Sequence, residues 1–473
     1  MSNQLLWKPG PSAVNSEMGR YLKHAQQKFP EAKIHDYESL YRWSIDSHAD
    51  FWKDWFEYCH FKYSGRTTPT TNGIGLRGTE FFPQVKLNFA ENLLPLNDDT
   101  IAITSVSESR HTTDTTFARL QQQVGTIQAQ LKDNGVMVGD RVAAVLPNIS
   151  EAVVAALATS ATGAIWSSCS PDFGIQSVLD RVGQIEPKVL ITVNGYTHHG
   201  KVIDCRSKVE SLVAQLPSIS TVLIVELVDL PKMSIPHVTW DDWLSQEQHL
   251  PTFDQLPFNH PLYIMYSSGT TGKPKCIVHG AGGTLLQQVK ELSLHCDLKS
   301  GDNITYLTTC GWMMWNWLIA ALATGSRITL YDGFPAYPDM TQLWDLIDEV
   351  GITHFGTSPR FLATCRRRLT PRDSHNLSTL RSIMSTGSPL LPEDFDWVYN
   401  SVKSDLQLSS ISGGTDIISC FMLGNPILPV YRGEIQCLGL GMDVQSVDSD
   451  FNTLSQQKGE LVCKTPFPSM PVR

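Results

Sequence analysis

Between about residue 118 and residue 410, the hydrophobic pattern of this chain switches back and forth between two periods, and that alternation narrows the fold more than any other feature. Residues 118–134 place apolar side chains at helical spacing and stop at Gly135. Arg141–Leu146 is a short apolar run ended by Pro147-Asn148, the mark of a buried strand. The two signatures then recur. Strands are predicted at Lys188–Val193, Val222–Leu227, Leu262–Tyr266, Ile304–Leu307, Arg327–Tyr331, Ile352–Phe355, Ser382–Ser385 and Leu406–Ser409. Helices are predicted at Ala152–Thr162, Trp315–Ala323, Leu343–Val350, Phe361–Leu369 and Glu393–Val402. Strands separated by helices pair through crossovers, so the expected fold class is α/β, with mostly parallel sheets flanked by helices.

The two ends depart from this pattern. Residues 1–95 are rich in aromatics, and Tyr37, Leu40, Tyr41, Trp43, Phe51, Trp52, Trp55 and Phe56 fall near helical spacing, which predicts a helical cap on a larger body. Residues 96–432 form the α/β body, and 433–473 read as short strands with turns, the start of a small β subdomain. The polar, proline-containing stretch Pro236–Asn259 reads as a surface excursion.

Bulk properties exclude several classes. A formal net charge of -10 suits neither nucleic acid nor an anionic membrane surface. The longest apolar stretch, Ala152–Trp166, is interrupted by Ser and Thr and is too short to span a bilayer. The start shows no basic segment followed by an apolar one, so no signal peptide is read there. Ten cysteines without a C-x-x-C pair read as reduced thiols of a cytosolic protein.

Four loops of unusual composition lie at or just past predicted strand ends: Ser267–Lys275, Thr308–Asn316, Ser385–Leu390 and Ser410–Asp416. In open α/β sheets ligands bind at the carboxyl ends of strands, so the four loops point at one shared site. The first is the most informative. Gly269 and Gly272 free the backbone to present N–H groups; Ser267, Ser268, Thr270 and Thr271 add hydroxyls; Lys273 and Lys275 add charge. This is an inventory for a polyphosphate. It is not a Walker A loop, because Pro274 follows Lys273 and the glycines are three apart. The apolar run Trp312, Met313, Met314 and Trp315 fits either core or the wall of a pocket for a small acid. His279 and Cys310 read as packing residues.

The loop Ser267–Lys275 resembles the signature loop of the adenylate-forming superfamily, and the remaining loops fit in chain order. Ser385-Thr-Gly-Ser-Pro-Leu390 resembles the segment that lines adenine and phosphates, which would place Gly387, Ser388 and Pro389 on the nucleotide. Ser412-Gly413-Gly414-Thr415-Asp416 resembles a motif in which the threonine contacts phosphate and the acid holds magnesium. Ser412 stands where the pattern has Tyr, and Asp416 replaces Glu. Gly459-Glu-Leu-Val462 resembles the next motif. Leu87–Leu94 resembles the short-chain acyl-CoA synthetases, and Gly311-Trp-Met-Met-Trp-Asn316 with Ser412–Ile418 resembles the branch that activates acetoacetate.

The resemblance implies an enzyme that uses ATP, Mg2+ and coenzyme A to convert acetoacetate to its adenylate and then its thioester, with Lys273, Thr415 and Asp416 as catalytic residues and Trp312–Trp315 at the acyl group. Acetate or propionate is the alternative acid. Members of the superfamily carry a mobile C-terminal domain with a catalytic lysine. Only Cys463–Arg473 follow Gly459–Val462 here, so that domain is expected to be absent and the chain to bind ATP weakly and turn over poorly. A nucleotide-binding form without turnover is the other alternative.

Overall fold

Two seven-stranded sheets carry the chain. The computed structural model describes residues 4–267, 272–455 and 457–472. In the first sheet the strands lie in the order Val238–Thr239, Thr221–Val225, Val189–Val193, Arg141–Val145, Ile165–Cys169, Pro261–Tyr266 and Cys276–Gly280. Neighbours are parallel except for the last pair, where Pro261–Tyr266 turns back into Cys276–Gly280. The second sheet runs Gln407–Ser410, Ser382–Ser385, His354–Thr357, Asn303–Tyr306, Arg327–Asp332, Ile101–Ser107 and Thr112–Thr116. It too is parallel apart from its last pair. Val189–Val193 is buried at every position, which a strand shows only when both faces are covered.

The helices follow the sequence pattern closely. Phe117–Asp133 starts at Thr116, whose hydroxyl accepts the Arg119 N–H. Ser150–Ala161 is buried on nearly all sides, between Phe117–Asp133 and Phe89–Leu93. That explains its even apolar composition. Among the described residues no helix is long and apolar enough to cross a membrane.

Two expectations are corrected. The helix after Gly311 begins at Met313 and gives way to a 3-10 turn at Ala320–Thr324, so it starts and stops earlier than the spacing predicts. The stretch Pro236–Asn259 is more than a surface excursion. It supplies the edge strand Val238–Thr239, buries Trp240 and Trp243 from the turn Trp240–Leu244, and pairs Leu256–Pro257 with Val85–Leu87. Two tryptophans three apart lie on one helical face, and their burial outweighs the polar composition around them.

The N-terminal residues fold as the helices Glu17–Lys28, Tyr37–Asp46 and His48–Tyr58. Their aromatic side chains share one buried cluster with the first sheet. The Tyr37 and Tyr41 hydroxyls donate to the carbonyls of Leu438 (2.5 Å) and Met442 (3.0 Å), and the Trp55 indole donates to that of Leu286 (3.1 Å). Leu5–Trp7 pairs with Val430–Tyr431, so the start of the chain braces the segment after the second sheet.

Candidate active site

Strands Asn303–Tyr306, Ser382–Ser385 and Gln407–Ser410 are parallel members of one sheet, so they release the chain at the same edge. The segments that leave them wall a cavity of about 750 Å³. Trp312, Met313 and Met314 form one side; Gly387, Ser388 and Pro389 form another; Ser412, Gly413, Gly414 and Thr415 form the third.

Trp312 is half-buried and caps the helix Met313–Ile319, with its ring edge-on to Tyr306 at 5.8 Å. A Cβ on Gly387 would lie 3.6 Å from the Trp312 ring, and φ there is +100°, so a residue with a side chain would be both strained and forced into the cavity. Met313 and Met314 are buried but line the wall. Trp315 does not line it. It is fully buried, its indole N–H donates to Asn148 Oδ1 (3.1 Å), and it stacks on Trp166 at 6.3 Å. Asn148 and Trp166 belong to the first sheet's side, so Trp315 fills the seam between sheets.

Ser412–Gly414 is a short strand, antiparallel to Ser419–Leu423, where the sequence reads as loop. Thr415–Ile418 is the turn joining them. Asp416 is exposed at its tip, and its Oδ1 lies 2.2 Å from where a Cβ on Gly414 would stand, so glycine alone leaves the carboxylate that place.

The fourth loop is placed differently. The Ser267 N–H donates to the Lys275 carbonyl (3.1 Å), closing the hairpin, and Lys273 and Lys275 are exposed. Ser268, Gly269, Thr270 and Thr271 lie outside the described residues. Ser267, Gly272, Lys273 and Lys275 do not line the cavity. Three of the four strand-end loops therefore share one cavity; the described residues of the fourth do not line it, and only its outgoing strand touches one of the cavity walls. There His279, buried, donates from Nε2 to the Thr415 carbonyl at 2.8 Å. Burial lowers the His279 pKa to about 4, so the ring is neutral at pH 7.

Sequence reasoning missed a second cavity of about 410 Å³, which shares Trp312 with the first. Asp172 and Asp332 line it. Asp172 accepts from the Tyr196 hydroxyl (2.6 Å) and the Ser170 hydroxyl (2.9 Å). Asp332 is pushed up to about 7, first by burial and then by the charges of Asp172, Glu108 and Glu151. A signal was present: Asp332 is the acidic last residue of a mostly buried strand, directly before Gly333.

Comparison with known proteins gives the class. Residues 96–470 match the family described as AMP-binding enzyme, and the chain belongs to that family. Among its relatives is an acetoacetyl-coenzyme A synthetase of Rhizobium meliloti (strain 1021), 44% identical over 99% of this chain and 72% of the relative. The acetoacetyl-CoA synthetase of Gallus gallus is 45% identical over 100% of this chain and 72% of its own length. The solved structure of an acetoacetyl-CoA synthetase from Streptomyces lividans superposes with a TM-score of 0.95 at 40% identity, covering 99% of this chain and 74% of that one.

Proposed function

We propose that this chain activates acetoacetate with ATP. A carboxylate oxygen attacks the α-phosphorus and pyrophosphate leaves, giving acetoacetyl-AMP. The sulfur of coenzyme A then takes the acyl group, and AMP leaves with the carboxylate oxygen. The observation that carries this reading is the convergence of Trp312–Met314, Gly387–Pro389 and Ser412–Thr415 on one cavity, in a chain 44% and 45% identical to acetoacetyl-CoA synthetases over nearly its whole length.

Chemistry, and for the cavity-lining residues their placement, supports the roles. Met313, Met314 and Trp312 offer an apolar wall to the short acyl chain. Gly387, Ser388 and Pro389 hold base and sugar through the backbone. Thr415 fixes the α-phosphate, with Ser412, Gly413 and Gly414 shaping the approach. Ser267, Ser268, Gly269, Thr270, Thr271 and Gly272 are assigned to the polyphosphate by their composition alone, with Lys273 and Lys275 to neutralise its charge. Trp315 acts at one remove, by setting the helix against the first sheet. Phosphoryl transfer of this kind asks a protein for positioning and charge neutralisation above all.

Magnesium suits this site. Mg2+ is bound through one or two carboxylates together with water and phosphate oxygens, and Asp416 is an exposed carboxylate beside Thr415. Among the described residues no group of three His, Cys, Asp or Glu would hold a metal without the nucleotide. Bound there, the ion would neutralise phosphate charge. We also place the helical cap at 1–95, the nucleotide-binding body at 96–432 and the β subdomain from 433. The ten cysteines are all free thiols, which suits the cytosol.

The test is the binding of non-hydrolysable acyl-sulfamoyl adenosines, alongside pyrophosphate exchange with acetoacetate, acetate and propionate. The acetoacetyl analogue is expected to bind at least about tenfold tighter than the acetyl one, the scale of one or two methylene-sized contacts. Equal affinities would overturn the choice of acid. Binding of neither would overturn the site.

A further inference from the structure

The helix Ala281–Lys290, which follows the phosphate-loop hairpin, does not finish in α geometry. Its continuation, Glu291–His295, is a π-turn. Such turns are uncommon and gather at functional sites, because they aim side chains that a regular helix would direct elsewhere. Here the turn aims two fully buried polar side chains at the hairpin that carries Thr415 and Asp416.

Glu291 accepts at Oε1 from the Ser419 hydroxyl and from the Cys420 N–H (3.0 Å). At Oε2 it accepts from the Trp317 indole N–H at 2.9 Å. His295 donates from Nδ1 to the Gly424 carbonyl at 2.9 Å. Ser419 and Cys420 open the strand that returns from the Thr415–Ile418 turn. Trp317 lies on the helix whose first residues, Met313 and Met314, wall the cavity. One carboxylate thus joins the acyl side of the site to its nucleotide side, without lining the cavity itself.

Stability alone does not account for such a group. A buried charge costs more than an apolar residue of similar size unless every oxygen is satisfied, and then it roughly breaks even. What three donors on two separate elements do provide is geometry. Attack at phosphorus requires acid and nucleotide to be seated together, and a misplacement of about 1 Å costs about a hundredfold in rate.

We infer that Glu291 is a positioning residue that holds the acyl-side helix and the nucleotide-side hairpin in a single register, so that each ligand readies the site for the other. This rests on the function proposed for the cavity. Without the tie, the Thr415 turn and the Met313–Met314 wall settle independently, and the energetic link between the two ligands is lost.

The experiment measures that link. Affinity for α,β-methylene ATP is determined with and without acetoacetate, in wild type and in Glu291→Gln. Gln keeps the shape but offers an amide N–H2 to donors on one side. Wild type is expected to bind the nucleotide about five- to tenfold tighter when the acid is present. In Glu291→Gln the nucleotide alone should bind within about twofold of wild type, while the enhancement by acetoacetate falls to near one. Trp317→Phe and Ser419→Ala each remove one donor and should each lower the enhancement, which keeps the test open if Glu291→Gln folds poorly. Full enhancement in the variants, or an equal loss of both affinities with the enhancement intact, would overturn the inference, the second outcome marking a merely structural role. Wild type that binds both ligands independently would overturn this inference alone. Wild type that binds neither would overturn the function proposed for the site and this inference with it.

Discussion

His279 Nε2 and the carbonyl oxygen of Thr415 stand 2.8 Å apart, although 136 positions separate the residues in the chain. The bond crosses from the strand Cys276–Gly280, in the first sheet, to the turn that presents Asp416, beyond the second. Because the carbonyl can only accept, the ring donates from Nε2, and since burial keeps the ring neutral it is the Nε2–H tautomer. The strand Cys276–Gly280 and the Thr415 turn are thereby fixed to each other by a group that need not touch substrate.

Removing that donor should loosen the site proposed for the nucleotide. A buried hydrogen bond contributes about 1 kcal/mol, more when its loss leaves a buried carbonyl unpaired. His279→Ala is therefore expected to weaken ATP binding about tenfold, while His279→Gln, whose amide can donate from a similar position, should recover most of it. Calorimetric titration with a non-hydrolysable ATP analogue reads both. Equal affinity in wild type and the alanine variant would show that the bond does not hold the site.

The parallel sheets were legible because buried parallel strands are written as nearly continuous apolar runs, and Val189–Val193 and Thr221–Val225, each with a single Thr, show this. Element ends were less so. Whether Trp315 or Trp312 faces the cavity depends on the helix starting at Met313, and a run of Trp and Met carries no phase of its own. Ser412–Gly414 reads as loop by composition, yet it pairs as a strand because a neighbouring strand supplies the hydrogen bonds. The polar stretch after Pro236 hid two core tryptophans. His279 and Glu291 were beyond reach, since a lone His or Glu declares its role only when a partner more than a hundred positions away arrives beside it.

The charges at the site make a second expectation. Asp416→Asn removes the hard anionic oxygen proposed for magnesium, and Lys273→Ala removes one of the cations proposed for the phosphates. Each should weaken binding of magnesium–ATP by about tenfold, the worth of one partly exposed charge-assisted contact. Asp416→Asn should change binding of metal-free ATP far less, so a chelator arm separates the two roles. Unchanged affinity in both variants would leave the site assignment without support.

Three buried histidines set an acid limit. Burial holds His279 and His354 at about 4, and burial together with the Lys290 charge holds His295 at about 3. The unfolded chain takes up these protons near pH 6.5, before the folded one does. The contribution of these three rings is therefore complete above about pH 6.5 and is lost as the pH drops toward 4, by roughly 1 kcal/mol per histidine per pH unit. Differential scanning fluorimetry should show the thermal midpoint declining steeply below pH 6. A midpoint flat from pH 7 to pH 5 would mean that the rings find water or a partner on protonation.

Asp332 bends the other arm of the pH profile. Its carboxyl is pushed up to about 7 by burial, reinforced by the Asp172 charge across the shared cavity. Here the folded state holds the proton longer than the unfolded one, whose carboxyl titrates near 4. The contribution is full below about pH 4, is lost as the pH rises toward 7, and is level beyond that. Asp332→Asn keeps the volume and removes the charge. It is expected to leave stability nearly unchanged at pH 4.5 and to raise it by roughly 1–2 kcal/mol at pH 8, less than the full shift allows because the part-buried side chain keeps access to water. Thermal midpoints of both proteins across that range decide it. The two curves should part as the pH climbs, and if they stay parallel, or if the variant is the less stable at pH 8, then Asp332 is ionised at little cost and Asp172 does not oppose it.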